Sequence, residues 1–221
     1  MYYALYHIKL KLSSKTIIVH YLFTISKNRQ VLLLTMYITR DKIYIICKIA
    51  AGSRMETQME YRVCSFTGHR QIKKEHEEAL PELLGRAIEY AYSKGCRMFL
   101  AGGAIGFDTA AAREVIRFRI SKPDVRLVLI LPCIDQSRCW SAVQRDAYNH
   151  TLGCADEVVY ISDEYTDGCI KERNRKLAHD ADILISYVSR TNSGSAQTVR
   201  MARELGKEIY NLYPSLDKNK N

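Results

Sequence analysis

The chain has 221 residues, of which 47% are hydrophobic, so it can build a globular core and is not a disordered chain. Nine of its 33 Lys and Arg residues and one of its 24 acidic residues lie in residues 1–54, so residues 55–221 are close to neutral despite the total of +9. This distribution argues against a broad surface for nucleic acid. The seven scattered cysteines contain no C-x-x-C pair, so the sequence suggests neither a disulfide framework nor a zinc site and best fits a reducing, cytoplasmic location.

Residues 1–58 differ from the rest, being rich in Ile, Tyr, Leu and Lys with no proline. Their apolar runs reach about ten residues, half of what a bilayer span needs. No small-residue cleavage site follows them, which argues against a secretory signal. Three interpretations stay open: a β-rich extension, a membrane-surface segment, or an upstream stretch outside the natural product. We favour the third, with translation starting at Met55 or Met59, because strand-like runs without turn residues make a poor independent unit.

From residue 59 onward, short apolar runs alternate with amphipathic segments. The pattern predicts strands at 61–66, 97–101, 125–131, 157–162, 181–188 and 208–213. It predicts helices at 74–95, 107–120, 141–152, 170–180 and 195–206.

Strands that alternate with helices need crossover connections, so the sheet is expected to be mainly parallel and covered on both faces. The predicted fold class is therefore α/β, a Rossmann-like three-layer sandwich with about six strands. We assign residues 59–215 to this domain and residues 216–221 to a polar tail. In such sheets a ligand binds outside the carboxyl ends of the strands.

The first loop at that edge reads "TGHR" and contains Thr67, Gly68, His69 and Arg70. A small residue followed by glycine lets backbone N–H groups approach an anion, and Arg70 offers a forked donor for phosphate. A tight turn with solvated polar residues explains the tetrapeptide equally well. His69 alone is typical of a loop histidine rather than a catalyst.

The second loop lies in "AGGAIGFDTAAAR", residues 101–113, which places Gly102, Gly103 and Gly106 between a strand and a helix. A glycine turn before a helix N-terminus is typical of a phosphate site. The spacing is not G-x-G-x-x-G, so it does not support ordinary NAD binding, and we expect no cofactor. Asp108 in the first helical turn is interpreted as a ribose ligand or as a group that complements the helix dipole.

The third loop, "LPCIDQSRCW", offers Gln136 to read a base edge and Trp140 to stack on a ring. A single tryptophan at a helix start more often packs in a core or lid. Cys133 has no local histidine to activate it and is interpreted as a small apolar residue.

The last two loops each lead into a helix with polar residues in its first turns. The helix at 170–180 carries Arg173, Asn174 and Arg175, and because arginines at i and i+2 do not share a face, only one should reach a site. The stretch "RTNSGSAQT" repeats the glycine-to-helix arrangement, with hydrogen-bond donors at Gly194, Ser195 and Thr198.

In this order, "CSFTGHR", "AGGAIGFDTAAA", "LPC..Q...W", "ERNR" and "SGSAQTVRMA" resemble the SLOG superfamily, in particular its YpsA-like branch, over about residues 61–213. The resemblance implies a Rossmannoid domain that binds a nucleotide or nucleotide-derived ligand as a sensing or processing module. It implies a small-molecule partner, and related domains often pair as homodimers through their helices.

The LOG, or lysine-decarboxylase-like, phosphoribohydrolases are similar around "ERNRKLAHDADILISY", which places their active-site arginine on Arg173. Their glycine motif puts Arg200 where a catalytic glutamate is needed to stabilise an oxocarbenium-like charge. The catalytic residues are therefore unassigned, with Asp108, Glu172 and Arg173 as candidates, and N-glycosidic cleavage is an alternative function.

The glycine motifs also resemble those of the DprA/Smf proteins, which implies single-stranded DNA binding as a further alternative. Such binding normally needs a basic groove with stacking aromatic residues. The near-neutral charge of residues 55–221 disfavours it. We interpret Arg113, Arg117 and Arg119 as the exposed face of an amphipathic helix.

Overall fold

The computed structural model describes residues 62–217 in full, together with the backbone of 3–13, 16–25, 30–39 and 43–49. The chain divides into two compact units, Met1–Glu60 and Tyr61–Asn221.

The first unit contains an antiparallel sheet with its strands in sequence order. Its strands are β1 (Tyr3–Ser13), β2 (Thr16–Ile25), β3 (Gln30–Thr39) and β4 (Ile43–Ile49). Their sequences are rich in Ile, Val, Tyr and Thr, which favour extended backbone. These strands lie in the segment for which three interpretations are open, and translation from Met55 or Met59 stays a prediction.

The second unit contains a six-stranded sheet in which every described pairing is parallel. Its strands are β5 (Arg62–Gly68), β6 (Cys96–Ala101), β7 (Arg126–Leu131), β8 (Glu157–Tyr160), β9 (Ile183–Tyr187) and β10 (Glu208–Asn211). Their order across the sheet is β10-β9-β5-β6-β7-β8. This confirms the predicted Rossmann-like fold class.

Helices cover both faces of this sheet. They are α1 (Leu80–Ser93), α2 (Phe107–Arg119), α3 (Ala142–Cys154), α4 (Cys169–Asp180), α5 (Gly194–Glu204) and the short α6 (Tyr213–Asp217). Neighbouring residues of β7 belong to different core clusters: Leu129 packs with the residues of α1 and α2, and Val128 packs with Leu177 of α4. Successive side chains of a strand point to opposite faces of the sheet, so each face has its own apolar surface for helices to cover. The domain therefore has three layers: helices, sheet and helices.

Two helical segments differ from the sequence prediction. The helix expected from residue 74 begins with a 3₁₀ turn at Lys74–His76, and α1 starts at Leu80 with Pro81 in its first turn, where the missing N–H costs nothing. At the other end, α6 replaces the end of the last predicted strand. This helix includes Leu216 and Asp217, which the sequence assigned to the polar tail. Leu216 is buried, and a carboxylate oxygen of Asp217 lies 3.1 Å from Nε2 of the buried His76.

The sheet order places the topological switch beside β5. The connection from β5 leads to β6 on one side, whereas the connection from β9 leads to β10 on the other. A crevice is therefore expected where the carboxyl ends of β5 and β9 meet. Among the described residues, no helix is both long and apolar enough to cross a membrane.

Candidate functional site

A cleft of about 350 Å³ opens at this carboxyl edge, and we call it the main cleft. The end of β5, the loops after β5, β6 and β9, and the helices α2, α4 and α5 all contribute to it. Its lining residues are Thr67, Gly68, His69, Arg70, Ala104, Asp108, Ile170, Arg173, Asn174, Ser193, Gly194 and Ser195. Most of the side chains and glycines that the sequence marked as ligand-binding candidates are thus brought together at one place.

A buried ion pair forms the floor of the main cleft. Nη1 of Arg173 lies 3.6 Å from Oδ2 of Asp108 and also donates to the carbonyl of Gly102. Burial raises the pKa of Asp108, and the Arg173 guanidinium and the Ala104 N–H, 3.4 Å from Oδ2, oppose that rise. Burial likewise lowers the pKa of Arg173. Burial thus shifts both pKa values toward the uncharged forms, and the attraction between the two groups opposes both shifts.

The same arginine orients Asn174. Nε of Arg173 donates to Oδ1 of Asn174 over 2.8 Å, which leaves the amide Nδ2 as the outward donor. That Nδ2 faces the start of α5, because a Cβ placed on Gly194 would lie 3.5 Å from it. Arg173 thus fixes a second hydrogen-bond donor at the cleft.

The N-terminus of α5 supplies further donors. Oγ of Ser193 caps the helix by accepting from the N–H of Ala196 over 3.1 Å, and Gln197 N–H bonds the Ser193 carbonyl over 3.0 Å. The N–H groups of Gly194 and Ser195 have no acceptor among residues 62–217. Free N–H groups and the helix dipole together favour an anion at this position.

The N-terminus of α2, by contrast, faces protein. The N–H of Phe107 donates to the His69 carbonyl over 3.1 Å. Gly106 has φ +82°, and a Cβ there would collide with the Arg70 carbonyl. The glycine turn that the sequence marked as a phosphate cradle is occupied by the backbone of the β5 loop.

The other two glycines of that turn also serve packing. The missing side chain of Gly102 makes room for Arg173, and Gly103, with φ +63°, accepts a hydrogen bond from Nε2 of Gln136 over 3.0 Å. Gly102, Gly103 and Gly106 lie outside the lining of the main cleft, so their contact with a ligand stays a prediction.

Two further candidates also lie outside the lining. The Thr198 hydroxyl is buried and donates to the Gly194 carbonyl over 3.0 Å, which makes it part of the helix. Glu172 is exposed on α4. Arg175 is exposed as well, while Arg173 is buried, so a single arginine of this pair reaches the site as the helical period predicts.

His69 lines the cleft as a neutral side chain. Its Nε2 accepts from the N–H of Ser189 over 2.9 Å, which an imidazolium could not do. Burial, and secondarily the charge of Arg190, lower its pKa. Nδ1 therefore carries the proton, and His69 offers a donor rather than a positive charge.

A second cavity of about 250 Å³ adjoins the main cleft, with which it shares Arg70, Ala104, Ile170 and Arg173. Its other lining residues are Pro132, Cys133, Gln136, Trp140 and Tyr165. Burial raises the pKa of Cys133 to about 11, which keeps this thiol protonated at neutral pH.

Sequence reasoning missed several lining residues. Ser193 carried a usable signal, because a serine directly before a helix is a standard N-cap. Ala104 and Ile170 carry no polar group that would mark them, and Tyr165 lies in an aperiodic loop. Ala104, Ile170 and Tyr165 were therefore recognisable only from the fold.

The comparison with known families gives the assignment. The model of the YpsA family, described as the YspA SLOG family, matches residues 61–213. The chain belongs to the YpsA SLOG family. The match spans the second unit and includes the main cleft, so the resemblance predicted from the five motifs is confirmed.

Two related proteins have names that state no function. The chain is 23% identical over 133 residues to the SPbeta prophage-derived protein YoqJ of Bacillus subtilis (strain 168), covering 54% of this chain and 78% of that protein. It is 23% identical over 161 residues to a UPF0398 protein of Bacillus thuringiensis (strain Al Hakam), covering 69% of this chain and 88% of that protein.

One solved structure supports the fold, and a second is reported beside it. DNA processing protein A of Streptococcus pneumoniae superposes with a TM-score of 0.51 at 16% identity, over 68% of this chain and 50% of that one. DNA processing protein A of Helicobacter pylori, which binds single-stranded DNA, gives a TM-score of 0.49 at 16% identity, over 67% of this chain and 63% of that one. The chain thus spans half to two thirds of these proteins, and the likeness is one of fold.

Proposed function

We propose that the second unit binds a nucleotide or nucleotide-derived small molecule, with a phosphate at the N-terminus of α5. One observation carries the proposal: the free N–H groups of Gly194 and Ser195 line the same cleft as the amide of Asn174 and the guanidinium of Arg70. Backbone donors, a helix dipole and a forked cation are the groups that recognise phosphate.

The charge of the lining supports an anionic ligand. Asp108 is the single carboxylate among the lining residues, and its charge is opposed by Arg173. Arg70 is exposed and makes no ion pair with another described residue. One uncompensated positive charge therefore remains for a ligand to neutralise.

The size of the cleft favours a small molecule over a nucleic-acid strand. About 350 Å³ lies within the usual range for small-molecule pockets. On α2, Arg117 pairs with Glu114 at 3.4 Å and Arg119 pairs with Asp156 at 2.6 Å. These arginines are engaged within the domain, which supports their interpretation as a helix face rather than a strand-binding patch.

Cleavage of an N-glycosidic bond is a second candidate function, and one observation favours it. Asp108 lines the cleft with a pKa raised by burial, as in carboxyl groups that act as general acids. Arg200, which stands where the LOG resemblance expects a glutamate, is exposed and donates to the Thr191 carbonyl over 2.7 Å. Release of adenine from AMP, followed by chromatography, distinguishes turnover from binding alone.

The binding proposal is tested by calorimetric titration of the full chain with AMP and with adenosine. We expect AMP to bind at least tenfold more tightly, and Arg70→Ala to lose about tenfold in AMP affinity, the scale of a charge-assisted hydrogen bond. Arg175→Ala is the matched control, because it removes an exposed arginine outside the cleft. Equal affinity for adenosine, or an equal loss in the control, would contradict the proposal.

We place this binding in the cytoplasm, as the cysteine pattern predicts. The cysteines among residues 62–217 are all unpaired, in agreement with that placement. Detection of the native protein in the cytoplasmic fraction of its cell, against marker enzymes for each compartment, tests it.

A further inference from the structure

We propose that the second cavity holds the base of the nucleotide, which stacks on Trp140 while Gln136 accepts an N–H from the base edge. The inference rests on the proposed function, because it places the rest of the same ligand once its phosphate lies at α5. It identifies the ligand as a nucleotide whose base carries an N–H on its edge, for which adenine is the probe.

The two cavities are connected in a way that suits one elongated ligand. Arg70, Ala104, Ile170 and Arg173 line both, so no wall of protein separates the phosphate position from the second cavity. The main cleft contains the free helix N–H groups, whereas the second cavity contains none of them. A ligand with one anionic end and one uncharged end matches this division.

The walls of the second cavity suit an aromatic ring. Beyond the shared residues, its lining is apolar or aromatic apart from the neutral Gln136, and no carboxylate belongs to it. Trp140 is held by an edge-to-face contact with Tyr148, with ring centroids 5.4 Å apart. The ring of Tyr165 is 61% exposed and lies at the same cavity, so it is available as a second stacking surface.

The amide of Gln136 has a fixed orientation. Nε2 donates to the Gly103 carbonyl over 3.0 Å, which leaves Oε1 as the acceptor of this amide. A base that presents an N–H, as adenine does with its amino group, satisfies this acceptor.

The chain contains a single tryptophan, so its fluorescence reports on Trp140 directly. We would titrate the full chain with AMP, purine riboside 5′-monophosphate and ribose 5-phosphate, following Trp140 emission and, in parallel, heat release. AMP should change the emission and bind at least fivefold more tightly than ribose 5-phosphate, the advantage of one stacked base. Ribose 5-phosphate should bind without changing the emission, and purine riboside 5′-monophosphate, whose base lacks the amino group and has no N–H on its edge, should bind more weakly than AMP.

Tyr165→Ala removes an exposed ring and should reduce the advantage of AMP at least twofold without altering the affinity for ribose 5-phosphate. Tyr160→Ala is the matched control, because Tyr160 is also exposed but lines neither cavity. If ribose 5-phosphate and AMP bind equally and the emission stays constant, the base site is wrong and the phosphate site stands. If neither binds, both are wrong, and if purine riboside 5′-monophosphate matches AMP, the role of Gln136 is wrong.

Discussion

Arg173 and Asp108 form a buried ion pair that links α4 to the first turn of α2, with Nη1 3.6 Å from Oδ2. The two helices lie on opposite faces of the sheet, so the pair spans its carboxyl edge directly beneath the main cleft. The absence of a side chain at Gly102 creates the space for the guanidinium. Stability and the geometry of the cleft therefore depend on the same contact.

Replacing Asp108 by alanine should destabilise the domain by about 3 kcal/mol, because the Arg173 guanidinium would stay buried without its carboxylate. Urea unfolding of both proteins measures the difference. Arg117→Ala is the control, since its 3.4 Å pair with Glu114 involves an arginine side chain that is 72% exposed, and such pairs contribute about 0.5 kcal/mol or less. A loss at Asp108 no larger than that of the control would contradict a structural role for the pair.

The raised pKa of Asp108 predicts a pH dependence of stability. In the unfolded chain the carboxyl loses its proton near 3.8, whereas in the fold it does so only at a higher pH. Between these two values the native state binds more protons, so stability falls as pH rises through the window. Relative to Asp108→Asn, the natural protein should therefore lose free energy of unfolding as pH rises above 3.8. A relative gain over the same range would show that the attraction to Arg173 outweighs burial.

Gly106→Ala should destabilise the fold by at least about 2 kcal/mol, because φ +82° strains an alanine and its Cβ would meet the Arg70 carbonyl. Gly85→Ala is a control of the same chemistry in the middle of α1, where a Cβ would have no neighbour within 4 Å. That change should stabilise the protein by up to about 1 kcal/mol. The midpoint of thermal unfolding should thus fall for Gly106→Ala and rise for Gly85→Ala. A shift in the same direction for both variants would contradict the packing described for Gly106.

The regular part of the fold could be predicted from sequence because each strand and helix carries its own period. The same period predicted that Arg173 and Arg175 would diverge, as they do. The role of the glycine turn could not be predicted, because strand-turn-helix spacing is the same whether a phosphate or a protein carbonyl faces the helix. Here the carbonyls of His69 and Arg70, from a distant part of the chain, fill that position.

The second cavity shows the same limit. Gln136 and Trp140 were identified as base-binding candidates from their residue types, but their proximity to Tyr165 arises because the loops after β7 and β8 end at the same sheet edge. Local periodicity carries no information about loop conformation. Which loop residues meet is therefore decided by strand order, which only the tertiary structure provides.

The measurement that tests the central claim most directly is the affinity of Ser195→Glu for AMP, determined by calorimetry beside the natural protein. A carboxylate in the first turn of α5 suits the helix dipole, so stability should be kept, but it should repel a phosphate and weaken binding at least tenfold. Gln144→Glu adds the same negative charge in the first turn of α3, outside both cavities, and this variant should bind AMP with unchanged affinity. Undiminished AMP binding by Ser195→Glu would contradict a phosphate site at the N-terminus of α5.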